Sequence, residues 1–216
     1  MSARPDNHPP LSGIDTVVFD IGNVLIAWNP EWLYQKLIPD VDQRQWFLEH
    51  ICTMAWHTRQ DAGRSVADGV RELSARYPQY QSLIAAFYLR WDEMIGTQPI
   101  TGSVSLLEQV KAQGYRVYAL SNFSAEMFPG TAHKFHCLSL FDGIVLSGAE
   151  KVVKPDPAIY RILFERYQIT PQRSIFIDDN ADNIAVAQRL GMHAIHFHSP
   201  QQTAQALRDL KVAVSI

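Results

Sequence analysis

The sequence predicts an α/β fold, in which a parallel sheet flanked by helices carries an all-helical insertion after its first strand. Short apolar segments of strand length alternate with amphipathic segments in residues 13–27 and 99–216, which is typical of βαβ units. Residues 28–98 break this alternation, because their apolar residues recur at helical spacing and no strand-like segment interrupts them. We therefore predict an α/β core formed by residues 13–27 and 99–216 and a helical cap formed by residues 28–98.

Each predicted strand is a short apolar run bounded by polar or turn-forming residues. The five runs are residues 14–20, 115–121, 143–147, 174–178 and 194–197. Helices are predicted between or after them, at residues 101–111, 157–168, 181–190 and 203–210. Asp156 and Pro157 indicate the start of the second of these helices, because aspartate caps a helix and proline fits its first position. An insertion that follows the first strand is placed to cover the ligand-binding edge of the sheet.

The composition excludes several classes of protein. The chain has 216 residues, 47% of them hydrophobic, and a net charge of -3, so it can bury a core and has no general basic surface for nucleic acid. No apolar stretch reaches the roughly 18 residues of a membrane span. Cys52 and Cys137 fit neither a disulfide framework nor a zinc site, so we expect a reducing, cytoplasmic location. Residues 1–12 are polar and proline-rich, and we expect a disordered lead-in there.

Polar residues stand at the ends of the predicted strands or in the loops after them: Asp20, Ser121 with Asn122, Lys154, and residues 178–183. The carboxyl ends of parallel strands converge at one edge of a sheet, so these residues are expected to meet. Clustered carboxylates repel one another unless a cation joins them, and oxygen ligands suit Mg²⁺ best. A lysine and a hydroxyl beside them suit a phosphate group. Together they predict phosphoryl transfer through an aspartyl phosphate.

The same residues form four motifs that resemble those of the haloacid dehalogenase (HAD) superfamily. The motifs are residues 19–24 (Phe-Asp-Ile-Gly-Asn-Val), 120–122 (Leu-Ser-Asn), 151–156 (Lys-Val-Val-Lys-Pro-Asp) and 177–183 (Ile-Asp-Asp-Asn-Ala-Asp-Asn). The resemblance implies a Rossmann-like core, a helical cap of the C1 type between the first two motifs, and a Mg²⁺-dependent phosphatase. The first motif is similar to that of bacterial sugar-1-phosphate phosphatases.

The resemblance also implies which residues would handle the phosphoryl group. Asp20 is the nucleophile, and Lys154 bridges it to the transferring group. Ser121 belongs to the catalytic set as well, because its hydroxyl binds the phosphate. The remaining phosphate-binding positions, mostly through backbone N–H groups, are Ile21, Gly22, Asn23 and Asn122.

A second set of residues would hold the metal ion, again as the resemblance implies. Asp20, Asp179 and the backbone carbonyl of Gly22 are the direct ligands. Asp178 and Asn183 would orient water molecules on the ion, and Asp182 is an alternative to Asn183 in this role.

Gly22 departs from the family pattern. Most HAD phosphatases carry a second aspartate two residues after the nucleophile, which protonates the leaving oxygen and then activates water. Glycine cannot transfer a proton, and such acid–base help is typically worth about 10²–10⁴-fold in rate. A phosphatase with Gly22 needs a leaving group that depends little on protonation, such as an anomeric oxygen, or an acid from the cap. His57 and Asp61 are the candidates for that acid.

Two other interpretations remain open from the sequence. A 2-haloacid dehalogenase also lacks the second aspartate, but it needs no metal, so the adjacent Asp178 and Asp179 argue against it. A non-catalytic binding or regulatory module with the same fold would have no need to keep Asp20, Ser121 and Lys154. Dependence of the activity on a metal ion separates a phosphatase from a dehalogenase. Turnover of a phosphate ester separates a phosphatase from a non-catalytic module.

The cap segment at residues 55–64 is polar and contains Gly63, which indicates a turn. In similar proteins this part of the cap faces the active site and selects substrates. We therefore expect substrate contacts from His57, Arg59, Gln60 and Arg64. The expected partner is a small organic phosphate ester, and the expected oligomeric state is a monomer or a homodimer.

Overall fold

The computed structural model describes residues 13–216, so the predicted lead-in at residues 1–12 lies outside the described residues. Five strands form one parallel sheet in the order β3-β2-β1-β4-β5, which confirms the predicted fold class. The strands are β1 Thr16–Phe19, β2 Arg116–Ser121, β3 Gly143–Leu146, β4 Ser174–Asp178 and β5 His193–His196. Because β1 is central, the residues that follow it lie between the ends of β2 and β4.

Apolar clusters cover both faces of the sheet. Val17 and Phe19 belong to one cluster, and Val18 belongs to the other together with Tyr160 and Phe176. This alternation follows from the strand geometry, and burial of both faces is usual for parallel sheets. The helices that supply this packing and the insertion are α1 Glu31–Leu37, α2 Val41–His50, α3 Met54–Asp61, α4 Val66–Arg76, α5 Gln81–Leu89, α6 Thr101–Ala112, α7 Phe128–Lys134, α8 Ser147–Glu150, α9 Pro157–Tyr167, α10 Ala181–Arg189 and α11 Pro200–Asp209.

Residues 28–98, which we refer to as the cap, contain α1 to α5, short 3₁₀ turns and loops. An antiparallel bridge between Trp28 and Ile95 joins the two ends of this segment. The interior of the cap is aromatic: the rings of Trp56 and Phe87 meet edge-on with their centroids 5.3 Å apart. Trp56 and Phe87 belong to the same apolar cluster as Val17 and Phe19, so the interior of the cap is continuous with the packing on one face of the sheet.

Most of the polar segment at residues 55–64 is helical, as expected of a helical cap, because Met54–Asp61 forms helix α3. Thr53 caps this helix by accepting a hydrogen bond from the N–H of Trp56. Its polar residues gave no amphipathic pattern, since several of them are buried in the folded chain. The predicted turn does occur at Gly63, whose φ is +91°.

Smaller differences concern the ends of elements. Ser147, predicted as the last residue of the third strand, begins the short helix α8 instead. Asp156 and Pro157 start α9 as predicted, and the Asp156 carboxylate accepts from the N–H of Ala158. Helix α7 was not predicted, because seven residues show too little periodicity. Among the residues that the structure describes, no helix is both long and apolar enough to cross a membrane.

Candidate active site

The chemically active residues lie at the carboxyl edge of the sheet. Asp20 follows β1 directly, Ser121 ends β2 and Asp178 ends β4, so the order of the strands makes these three residues neighbours. The Ser121 hydroxyl forms a hydrogen bond with the Asp20 carboxylate. Asp20 is 8% exposed, whereas Ser121 and Asp178 are buried. Asp20 is therefore the most exposed of the three.

Lys154 is a buried ammonium group that joins two of the carboxylates. Its Nζ lies 3.0 Å from Oδ1 of Asp20 and 2.7 Å from Oδ2 of Asp178, and it donates to the carbonyl of Leu120 at 2.8 Å. Asn122 holds the lysine backbone with two hydrogen bonds, from its Nδ2 to the Lys154 carbonyl (3.0 Å) and from the Lys154 N–H to its Oδ1 (2.8 Å). Both carboxylates favour the charged amine and raise the pKa of Lys154.

Asp20, Asp178 and Asp179 each offer a carboxylate oxygen, and these oxygens lie within 4.8 Å of one another. Burial raises the pKa of Asp20 to about 6 in spite of the neighbouring lysine, and the charge of Asp178 adds to this effect. Three carboxylates and one ammonium carry a formal charge of -2, which a divalent cation would balance. The oxygen-only donor set suits Mg²⁺, so the residues present fit the predicted metal.

The orientation of Asp178 is fixed from several sides. Asn183 donates from Nδ2 to both carboxylate oxygens, at 2.9 and 3.1 Å, and the N–H of Asn180 donates to Oδ1 at 2.8 Å. Asp182 is exposed at the start of α10, where its N–H donates to the side chain of Asn180. Of the two predicted alternatives, the structure brings Asn183 to the carboxylate cluster and leaves Asp182 outside it.

Gly22 lies in the turn after Asp20, in a backbone conformation that does not require glycine. Its φ is outside the left-handed region, and a Cβ atom built on it would meet no atom within 4 Å. The missing second carboxylate is therefore not explained by crowding or by strain.

Asn23 is committed to the turn rather than open to a phosphate. Its φ is +53°, its N–H donates to the carbonyl of Ile26, and its Oδ1 accepts from the N–H of Trp28 at 2.9 Å. Its side chain also bonds the carboxylate of Asp179 and thereby supports a predicted metal ligand. The N–H of Ile21 donates to Oδ1 of Asp20 at 2.7 Å, within reach of a group bound to that aspartate. The structure thus gives Asn23, which was predicted to bind phosphate, partners in the turn and at Asp179.

Helix α3 brings His57, Gln60 and Asp61 into the buried space between the cap and the sheet edge. The Asp61 carboxylate accepts from the N–H of Ser124, in the loop after β2, and lies close enough to Asp20 for their charges to repel. Gln60 is completely buried, and its amide N–H groups are bound to protein atoms. Its side chain is therefore part of the cap interior, which argues against the predicted substrate contact.

Arg59 and Arg64, which were predicted to contact the substrate, are not brought to the carboxylate cluster. Arg59 is two residues beyond His57 on α3, so it projects from the other side of the helix and lines an outer groove with Glu72. Arg64 is ion-paired with Glu72 and donates to the carbonyl of Asp68. Both guanidinium groups thus lie on the outer part of the cap.

Two residues of this region were missed by the sequence analysis. Tyr88 on α5 hydrogen-bonds Nδ1 of His57 at 2.9 Å, and Ser147 donates to the backbone carbonyl of Asp61 at 2.5 Å. Both contacts join residues far apart in the chain. No local pattern in the sequence signals either of them.

The fold and this edge of the sheet define a hydrolase of one large family. The family model of haloacid dehalogenase-like hydrolases matches residues 14–191. The chain belongs to the haloacid dehalogenase-like hydrolase family, which its four motifs indicate.

Individual relatives differ in how much of this chain they share. The sesquiterpene phosphatase astK of Aspergillus oryzae is 28% identical over 193 residues, which is 89% of this chain and 94% of that protein. (S)-2-haloacid dehalogenase 4A of Burkholderia cepacia is 28% identical over 92 residues, 43% of this chain and 40% of that protein. Acyl-CoA dehydrogenase family member 10 of Mus musculus is much longer, and this chain spans only 19% of it at 27% identity.

Solved structures share the whole architecture. The HAD family enzyme BT-2542 of Bacteroides thetaiotaomicron, in its magnesium complex, has a TM-score of 0.72 to this chain at 22% identity. The match covers 91% of this chain and 99% of that one. At this identity the likeness shows a common fold.

Proposed function

We propose that the protein is a Mg²⁺-dependent phosphatase that hydrolyses a small phosphate ester through an aspartyl phosphate on Asp20. The observation that carries this proposal is the cluster of three carboxylates, two of them buried and paired with the one ammonium group of Lys154. These carboxylates would hold a divalent cation, which would offset their excess negative charge, and Lys154 would attract the anionic phosphoryl group. The relative named as a phosphatase spans nearly the whole chain, and the structural neighbour was solved with magnesium.

The reaction would run in two displacements. An oxygen of Asp20 attacks phosphorus, and the bond from phosphorus to the ester oxygen breaks with its electron pair on that oxygen, which takes up a proton. Water then loses a proton as it attacks the phosphorus of the acyl phosphate, and the bond to Asp20 breaks to release inorganic phosphate. Lys154 holds the nucleophile and offsets charge on the transferring group, while the Ser121 hydroxyl donates to a phosphoryl oxygen.

The metal site would be built from Asp20, Asp179 and the carbonyl of Gly22, with Asp178 and Asn183 orienting water molecules. Bound Mg²⁺ supplies charge stabilisation at the phosphoryl oxygens. The contact from Asn23 to Asp179 and those from Asn183 to Asp178 hold these carboxylates in place before an ion binds.

Sugar phosphates, including hexose 1-phosphates, are the first substrates to examine, because an anomeric oxygen needs less help from an acid than an ordinary alkoxide. The likeness to the sesquiterpene phosphatase of Aspergillus adds sesquiterpene phosphates as a second class. The test is a panel of both classes with nitrophenyl phosphate, in Mg²⁺ and in EDTA, with chloroacetate in parallel. We expect Mg²⁺-dependent release of phosphate from the wild type.

Two variants sharpen this experiment. Asp20→Asn should abolish hydrolysis while the protein stays folded by circular dichroism. Asp42→Asn is the matched control, because Asp42 is exposed on α2 and does not belong to the carboxylate cluster, so the rate should stay unchanged. Full activity of Asp20→Asn would contradict the proposal.

The same panel separates the other interpretations. Release of chloride from chloroacetate that persists in EDTA would favour a dehalogenase. A haloacid dehalogenase is among the relatives that match part of the chain. Binding of a phosphate ester without turnover would favour a non-catalytic module.

A further inference from the structure

Asp61 is a buried carboxylate that the reaction described above does not use. It ends α3, only 9% of its side chain is exposed, and it lies within electrostatic range of Asp20. The N–H of Ser124 donates to it from the loop after β2, so it touches the core as well as the cap. Burying a charged side chain in such a place is costly to the stability of the fold. This cost points to a function for Asp61.

The end of α3 is fastened to the core at Asp61. Ser147 at the start of α8 donates from Oγ to the Asp61 carbonyl at 2.5 Å and accepts from the N–H of Phe123 at 2.9 Å. Gly63 packs so closely on the core that a Cβ atom there would lie 2.9 Å from the carbonyl of Gly148. These contacts hold the Asp61 carboxylate at the sheet edge.

A chain of hydrogen bonds inside the cap determines which ring nitrogen of His57 carries the proton. Gln60 donates from Nε2 to the carbonyl of Trp56 (2.8 Å), which can only accept, and also to the hydroxyl of Tyr88 (3.2 Å). The Tyr88 hydroxyl is thus free to donate to Nδ1 of His57 (2.9 Å). The proton of His57 then lies on Nε2, which is 3.4 Å from Oδ2 of Asp61.

His57 is poorly suited to be the acid. Its ring stacks on Trp28 with the centroids 5.1 Å apart, and burial among aromatic rings lowers its pKa to about 4. It is therefore neutral near pH 7, where it orients Asp61 by donating to it. Burial and the charge of Asp20 instead raise the pKa of Asp61 to about 7, so that this carboxyl can both give and take a proton near neutral pH.

We propose that Asp61 takes the place of the carboxylate missing at Gly22 and exchanges protons with the leaving oxygen and with the attacking water, while His57 and Tyr88 position it. This inference rests on the proposed phosphatase function. As Asp20 attacks phosphorus and the ester bond breaks, the carboxylic acid of Asp61 gives its proton to the departing oxygen, which leaves as an alcohol. The Asp61 carboxylate then takes a proton from water as that oxygen attacks the acyl phosphate, and Asp61 is again protonated.

The test compares two esters in the wild type and in Asp61→Asn, which preserves size and the contact with Ser124. An alkyl or sugar phosphate from the active panel needs an acid, whereas nitrophenyl phosphate releases nitrophenolate without one. We expect kcat/KM for the alkyl ester to fall by about 10²–10⁴-fold, and that for the nitrophenyl ester to fall far less. The variant should also show a burst of nitrophenolate, with the phosphoryl group retained on Asp20 by mass spectrometry after an acid quench.

Equal losses for both esters, or no loss for either, would overturn the assignment of Asp61. These outcomes are distinct from failure of the proposed function, in which the wild type itself hydrolyses neither ester or Asp20→Asn remains active. The matched control is Asp42→Asn, an exposed carboxylate of the cap, which should behave as the wild type.

If Asp61→Asn does not fold, Tyr88→Phe carries the test. Loss of the hydroxyl frees His57 to place its proton on Nδ1, and Asp61 then loses a donor. The carboxyl pKa rises, so the alkaline limb of the pH–rate profile for the alkyl ester should move to higher pH. An unchanged profile would contradict the positioning role and the assignment of Asp61.

Discussion

Replacing Asp61 by asparagine should stabilise the fold at alkaline pH, although it removes a residue from the proposed active site. Burial first, and then repulsion by Asp20, raise the pKa of Asp61 from 3.8 to about 7. The folded state therefore holds this proton more tightly than the unfolded state, whose carboxyl has its ordinary pKa. Ionising Asp61 in the folded state therefore lowers the free energy of unfolding. This loss is absent below about pH 4, grows as the pH rises to about 7, and remains in full above that. At 1.36 kcal/mol per pKa unit it reaches about 4 kcal/mol.

The assay is the free energy of unfolding, measured by urea titration in EDTA from about pH 4 to about pH 8. Asp61→Asn and the wild type should be equally stable at the acid end, and the variant should be more stable by up to about 4 kcal/mol at the alkaline end. The other groups that face Asp61, namely Asp20, His57 and the N–H of Ser124, are common to both proteins, so their titration contributes little to the difference. Asp42→Asn should show no such trend. A difference independent of pH, or a variant that is less stable at about pH 8, would refute the reasoning.

Three further predictions concern the same edge of the sheet. Lys154→Met should lower the free energy of unfolding in EDTA by about 3–5 kcal/mol, because two buried carboxylates lose their partner. The control is Lys36→Met, which breaks an exposed ion pair and should lower the free energy of unfolding by about 1 kcal/mol or less. Equal losses for the two variants would contradict the role of burial. Mg²⁺ at about 100 times its Kd should add about 2.7 kcal/mol to wild-type stability, and Asp179→Asn should remove most of this gain; a gain that survives the substitution would place the ion elsewhere. Adding Gly22→Asp to Asp61→Asn should restore part of the rate on the alkyl ester that Asp61→Asn loses, since a Cβ atom at Gly22 meets open space. A double variant as slow as Asp61→Asn would show that a carboxylate at this position cannot supply the proton.

Much of the core was predictable because its signals are local. The run that ends in Asp20 is apolar, as a strand buried on both faces must be, and the edge to which it leads follows from parallel pairing. Asp156 and Pro157 marked the start of a helix for the same reason, since a cap acts within a few residues. Motif residues at strand ends could be placed together without knowing any side-chain contact.

The cap was less predictable because its important contacts are long-range. Helix α3 has polar residues on its buried side, so its sequence did not show which of its residues face the interior. The partner of His57 is Tyr88, which lies in an apolar helix and gave no sign of a polar role. Arg59 and Arg64 were expected to contact the substrate because this part of the cap faces the active site in similar proteins, but helical geometry and the acidic residue Glu72 direct them away from the sheet edge.

The hydroxyl of Ser147 links access to the active site with proton supply. Because this one group accepts from the N–H of Phe123 in the core and donates to the carbonyl of Asp61 in the cap, moving the cap away exchanges the second bond for one to water. The proposed acid would withdraw together with the helix that carries it. An open molecule could then exchange alcohol and phosphate with solvent while the acyl phosphate on Asp20 lacks the base for its hydrolysis. The hydrogen bond from Ser147 would thus be one of the contacts that bring the acid into place, and a Ser147→Ala variant would weaken it without touching any group that reacts.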